Sequence, residues 1–249
     1  MVWEEHLDKN GMIVQKLGDD CDQAQREGMF SVGQKNTINP ILIPKKSLPE
    51  VSLKLLESDV PGDYKRTGND DSRCARNDML TRDQATGIIA LMSVVKDNKR
   101  LKKFFINMLK RGFFTNNKTK HADAGANPEN YGKSKRDFLG FDQIASCIRM
   151  LNWYWMWPLV WIGDLSLLYS TLNIRFWNKD DDVLNYVVRL VMARLMFNTV
   201  IGSICAKIAD PDDLYGRLVV YFTRTNDSGD HGPPMYEVYN LDFLRKVCK

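Results

Sequence analysis

Four aspartates, Asp20, Asp22, Asp83 and Asp164, are the residues whose type and spacing suit acid–base chemistry. They lie in short acidic motifs where helices are expected to begin: Gly18-Asp19-Asp20-Cys21-Asp22-Gln23, Leu80-Thr81-Arg82-Asp83-Gln84 and Gly163-Asp164. Asp180-Asp181-Asp182 and Asp210-Pro211-Asp212-Asp213 repeat the placement. Stacked helical hairpins can gather such termini on one rim, and a glycosidase needs two carboxylates roughly 5 to 10 Å apart, one protonated and one ionised. Asp22 and Arg26 are one helical turn apart; pairing would lower the pKa of Asp22 and suit it to a base or ligand-orienting role. Asp164 follows an apolar run, where burial would raise its pKa and suit it to the acid role. Gln25, Arg26, Arg82 and Gln84 share these motifs and are candidate ligand contacts. The competing explanation is local: Asp accepts hydrogen bonds from the unpaired N–H groups of a first turn and is favoured by the helix dipole. Thr81 to Gln84 reads as a capping box, and the motifs at 180–182 and 210–213 need only capping.

Aromatic and basic clusters supply two further chemistries. Trp153, Trp155, Trp157 and Trp161 form the densest aromatic group, and their indole faces suit stacking on sugar rings or filling a core or an oligomer interface. Lys99, Arg100, Lys102 and Lys103 lead a basic segment over 96–120 that could touch DNA phosphates, against the simpler reading of a solvated helix face. No groove-reading motif accompanies it. Between Met150 and Ile174 the only charge is Asp164, so a membrane span must be weighed. Pro158, Gly163 and the cost of Asp164 in lipid argue against one, and two buried helices broken near 158–163 are expected instead.

Composition bounds the rest. The 249 residues, 44% hydrophobic and 27% charged, fit a globular chain with a sizeable core. Lys and Arg outnumber Asp and Glu by only 35 to 31, which gives no bulk argument for nucleic acid. Five scattered cysteines without a Cys-x-x-Cys pair suggest reduced thiols and no zinc module. His6, His121 and His231 have no ligand at metal-binding spacing. Asn226 to Asp230 resembles half of a calcium loop but lacks the closing glutamate. No nucleophile elbow, phosphate loop or dinucleotide fingerprint occurs, so no metal or cofactor is expected. The amino terminus lacks the basic and apolar regions of a signal peptide.

The elements that must position these residues are mainly helical. Leu101, Phe104, Phe105, Met108 and Leu109, and Val183, Leu184, Val187, Val188, Val191 and Leu195, follow the rhythm of a buried helix face. Helices are predicted over 20–34, 82–95, 97–112, 141–156, 164–177, 181–197, 199–209, 212–223 and 235–247. A short hairpin or extended arm is the most that 41–56 offers in strand, and 57–80 and 114–137 read as long ordered loops. The expected architecture is a single all-α domain, 1–249, of packed helical hairpins, with a partial α/α toroid as one arrangement.

The series Gly18 to Met29, Thr81-Arg82-Asp83-Gln84, Gly163-Asp164-Leu165-Ser166-Leu167-Leu168 and Asp182-Val183-Leu184-Asn185 resembles a group of tailed-bacteriophage and prophage proteins. Those proteins carry similar Asp-Gly-Asp-x-Ala-Gln-Arg-x-Gly, Ser-Arg-Asp-Gln and Gly-Asp-Leu segments. The likeness spans most of the chain, departs from the pattern at Asp20-Cys21-Asp22 and at Thr81, and brings no catalytic residues. It implies a viral origin, synthesis in the host cytoplasm, a place in the virion and a fold akin to six-hairpin glycosidases. Two functions follow as expectations: a structural protein of the tail or baseplate that contacts other virion proteins or copies of itself, or a hydrolase directed at bacterial surface polysaccharide. DNA contact through 96–120 stands third.

Overall fold

A computed structural model describes residues 53–64 (apart from 55 and 59), 82–115, 138–177, 183–227 and 241–249. Eight α-helices run through this part: α1 Arg82–Val95, α2 Asn98–Lys110, α3 Phe141–Leu151, α4 Trp157–Trp177, α5 Val183–Val191, α6 Val200–Ile208, α7 Pro211–Asp227 and α8 Leu241–Val247. Among the described residues there is no strand, only the isolated bridges Glu57 to Tyr64 and Phe114 to Phe138. Leu53, Lys54 and Leu56, within the segment considered for a hairpin, are helical. The segments 20–34, 41–50, 65–80 and 116–137 lie outside the described residues.

Local chemistry accounts for where the helices start. Asp97 caps α2 by accepting from the Arg100 N–H at 2.9 Å. Thr199 caps α6, its hydroxyl accepting from Gly202 N–H at 2.9 Å. Asp210 does the same for α7, with Oδ1 accepting from the N–H groups of Asp212 at 3.0 Å and Asp213 at 3.3 Å. That motif is therefore a cap, as its spacing predicts.

The tryptophan-rich region departs from expectation. The chain breaks at Asn152, which closes α3 in the left-handed region (φ 54°), a conformation that Asn tolerates better than most residues. A 3₁₀ turn, Tyr154–Met156, follows, and α4 then runs unbroken through Pro158 and Gly163. Pro158 lies in the first turn, where its missing N–H costs no hydrogen bond. Gly163 is inside the helix for a packing reason: a Cβ there would lie 2.5 Å from both the Ala145 Cβ and the Phe141 carbonyl oxygen. Hence α4 presses on α3 backbone to backbone, and these two helices form the most extensive contact of the fold. Asp164 consequently sits in the second turn of α4 rather than at a helix start. No described helix is long and apolar enough to cross a membrane.

Around this pair, α3 also meets α1 and α2, α4 meets α5 and α6, and α7 joins α5 to α8. One apolar cluster links them, including Ile88, Phe104, Phe105, Ile144, Val160, Tyr186 and Leu218. Leu101, Phe104, Phe105 and Met108 are buried as their rhythm predicts, as are Val183, Val187, Val188 and Val191, whereas Leu109, placed on the same face from sequence, is 38% exposed. Leu195 is exposed because α5 continues into a π-helical turn, Met192–Met196, whose wider winding rotates it off the buried face. Gly202 lets α6 approach that turn, since a Cβ would lie 2.6 Å from the Ala193 carbonyl.

Candidate functional site

A polar seam crosses the junction of α3, α4 and α5. Asp142, Ser146 and Arg149 stand at i, i+4 and i+7 on α3, one stripe of a helix that buries Ile144, Ala145, Cys147 and Ile148 in the core. Arg149 donates from Nη2 to Asp164 Oδ1 at 2.6 Å. Arg189 of α5 donates from Nη1 to Asp142 Oδ1 at 3.3 Å and from Nη2 to Ser170 Oγ at 3.4 Å. Its Nε is buried without a hydrogen-bond partner among the described residues. Gln143 ties the seam to α1: its Nε2 donates to the Arg82 carbonyl at 2.8 Å and to the Thr86 hydroxyl, while its Oε1 accepts from Gly140 N–H. The space within the seam is about 20 Å³, one water molecule's worth and too small for an organic substrate.

Arg149 and Asp164 also line an open groove of about 650 Å³. Trp153, Tyr154 and Trp157 line it together with Phe197, Asn198, Thr199 and Val200. Its volume falls in the range of small-molecule sites, roughly 300–1,000 Å³. Trp153 is held from below, packing edge-on against Phe105 at 5.6 Å and stacking on Trp155 at 6.0 Å.

Beyond the groove the outer face of α4 is apolar and open to solvent. Trp161, Leu165, Tyr169 and Phe176 are 64–65% exposed and Trp157 41%, and Trp155, in the 3₁₀ turn just before the helix, is 72% exposed. Trp157, Trp161, Leu165 and Tyr169 recur every fourth residue and so form one ridge. The opposite face carries Val160, Leu167, Thr171 and Ile174 into the core. Thus α4 is hydrophobic all round, a composition ordinarily reserved for a helix covered on every side. Three of the four tryptophans do not fill the core, contrary to one of their two expected uses.

The carboxylates proposed from sequence are not assembled into an acid–base pair by the described residues. Asp20, Asp22, Gln25 and Arg26 lie outside them, as do the side chains of Asp83 and Gln84. Asp164 is described: it lies in the second turn of α4, its side chain is 26% exposed, and its carboxylate is engaged by Arg149. Arg82 is exposed at the start of α1. On α2, Lys99, Lys102 and Lys103 are exposed, whereas Arg100 is held by Asp97 at 2.7 Å and Glu57 at 3.4 Å and is not presented to a phosphate. Burial works against ionisation of Asp97, yet the Arg100 N–H and guanidinium outweigh it and keep this carboxyl below its usual range. Burial pushes the Cys147 and Cys205 thiols up, away from nucleophilic use, and burial with Asp210 nearby raises Cys248 to about 11. No group of three or more His, Cys, Asp or Glu suited to a metal ion occurs among the described residues.

Asp142, Gln143, Arg149 and Arg189 were not singled out from the sequence. A signal existed: three polar residues on one stripe of 141–151, and a lone arginine in the valine-rich run 183–191, both ask for buried partners.

Comparison with protein-family models, with curated proteins and with solved structures finds no match to this chain.

Proposed function

We propose that this protein is a helical assembly component that acts by protein–protein contact through the outer face of α4. One observation carries the reading: Trp161, Leu165, Tyr169 and Phe176 of α4, with Trp155 just before it, stand in solvent, and from Trp155 to Phe176 the only charged side chains are Asp164, paired with Arg149, and Arg175, paired with Asp210. Contiguous apolar surface of this kind on a soluble protein marks an interaction site. The motif resemblance suggests the setting, the tail or baseplate of a tailed bacteriophage, with neighbouring virion proteins or further copies as partners. Hydroxyl-radical footprinting tests the contact. Trp155, Trp161 and Tyr169 are expected to be protected in the native assembly and oxidised in the dilute purified chain, with Val220 on α7 unchanged as a control. Equal oxidation in both states would refute the reading. Mass spectrometry of purified particles tests the setting, which requires this chain at fixed copy number.

The groove beside Arg149 and Asp164 favours a second reading, contact with a bacterial surface polysaccharide. Trp153, Tyr154 and Trp157 offer flat faces, and the ion pair offers donors and acceptors to hydroxyl groups. The arrangement suits binding rather than hydrolysis, since Asp142 and Asp164 are each engaged by an arginine. Quenching or shift of tryptophan fluorescence on titration with oligosaccharide fragments, lost in Trp157→Ala, is the expected signature.

A further inference from the structure

We infer that the open side of α2 binds the phosphate backbone of duplex DNA without reading its sequence, a contact independent of the α4 face. The mild net charge of the chain conceals a local one. Segments 53–64 and 96–111 hold eight basic and four acidic residues, which accounts for the whole formal charge of +4. Across α2 these charges are segregated. On one flank the turn over 57–63 presses on the helix, so close at Gly62 that a Cβ there would lie 2.7 Å from the Lys103 carbonyl carbon. Arginines staple that turn. Arg100 holds Glu57 as well as Asp97, and Arg111 donates to both oxygens of Asp63, at 2.8 and 2.5 Å. Glu57, Asp63 and Asp97 are thereby neutralised, which leaves Lys96, Lys99, Lys102, Lys103 and Lys110, all exposed and without an acidic partner among the described residues. Lys99, Lys103 and Lys110 fall within about 40° of one line along the helix, with Lys102 to one side. The row is about 16 Å long, the rise of roughly five base pairs.

Nothing inside the fold offsets this charge. Lys99 sits in the first turn of α2, against the positive end of the helix dipole, and repels Lys103 one turn further on. An anion from outside relieves both. The neighbouring side chains decide which anion. Protein interfaces are depleted in lysine and centred on tyrosine, tryptophan and arginine, whereas here the two arginines are engaged and Ile106 and Leu109 are the only apolar side chains of α2 to reach solvent. An anionic lipid surface asks for an apolar face to insert, and that of α2, Leu101, Phe104, Phe105 and Met108, is buried in the core. Duplex DNA asks only for a row of positive point charges, which lysine supplies. Sequence preference would need side chains aimed at base edges, and the lysine row has none to add.

Fluorescence anisotropy of a labelled duplex with the full-length protein tests this, with helix content followed by circular dichroism. The logarithm of the association constant is expected to fall against the logarithm of salt concentration with a slope of about −3.5 to −4.5, as four or five neutralised phosphates require. Two duplexes of unrelated sequence should bind alike. Lys99→Gln with Lys103→Gln should weaken binding by roughly tenfold or more at low salt and make the slope shallower by about 2, with the helix content of wild type. Lys207→Gln with Lys246→Gln removes the same charge from exposed positions on α6 and α8 and should leave affinity and slope at their wild-type values. Equal weakening by the two double variants would reduce the effect to net charge and overturn the inference. So would a wild type that fails to bind duplex at low salt, one that strongly prefers one of the two sequences, or one that floats with phosphatidylserine vesicles and ignores DNA.

Discussion

Replacing Gly163 by Ala is expected to destabilise the protein although it improves the intrinsic helix propensity of α4. Gly163 lies within the helix, so alanine brings about 1 kcal/mol of propensity. Against this, the new Cβ would lie 2.5 Å from the Ala145 Cβ, 2.5 Å from the Phe141 carbonyl oxygen and 3.0 Å from its carbon, where ordinary contacts fall at 3.4–4 Å. The obstruction is backbone and a methyl group without rotamers, so relief requires α3 and α4 to separate by about 1 Å. Overpacking of this kind costs about 1–3 kcal/mol, and the shift also strains the adjacent Arg149–Asp164 pair. The net expectation is a loss of roughly 1–2 kcal/mol, or a fall in Tm of about 2–8 °C for a chain of this size. Thermal and urea unfolding of Gly163→Ala and Gly163→Val measure it, with valine the worse of the two. The cycle with Ala145→Gly should show coupling of about 0.5 kcal/mol or more, because that change removes one of the two close contacts. A Tm equal to or above wild type in Gly163→Ala would refute the backbone-to-backbone packing of α3 on α4.

Asp142→Leu should cost about 3–5 kcal/mol in urea unfolding by leaving Arg189 without its carboxylate in a mostly buried site, whereas Asp142→Leu with Arg189→Leu should recover most of that loss. Thr199→Ala removes the cap of α6 together with the hydroxyl's bond to the Ala193 carbonyl and should cost about 1–2 kcal/mol. Maleimide labelling resolved by peptide mass spectrometry should leave Cys147 and Cys205 unmodified in the folded protein. Cys248, raised to about 11, should label about tenfold faster per pH unit between pH 7 and 10 as its thiolate fraction grows; a rate flat over that window would contradict its burial. Asp97 has its carboxyl held down in the folded state, so its contribution is present above the unfolded carboxylate range and lost as pH falls through the folded value. Asp97→Asn should therefore flatten the acid limb of a stability–pH profile.

Much of the helical content was legible because it follows from period and capping. The rhythm of Leu101, Phe104, Phe105 and Met108 and the aspartate before Pro211 report local rules that hold wherever the segment ends up. The tryptophan region shows the limit. Pro158 and Gly163 look like helix breakers in isolation, yet proline is at home in a first turn and glycine here answers to α3, a helix whose arrival no local rule announces. The surroundings of Asp164 were hidden for the same reason, since its partner Arg149 comes from that neighbouring helix.

The sequence by itself determined that this chain is helical and that 150–174 is almost free of charge, since both depend on residue type and near spacing. Only the tertiary structure decided which side of α4 faces the core. With apolar residues on every side, the helix carries no periodic signal of its own orientation, and the close approach at Gly163 fixes its rotation. That rotation seats Asp164 against Arg149 and turns Trp161, Leu165 and Tyr169 outward, so an apparent core segment presents an apolar ridge to solvent.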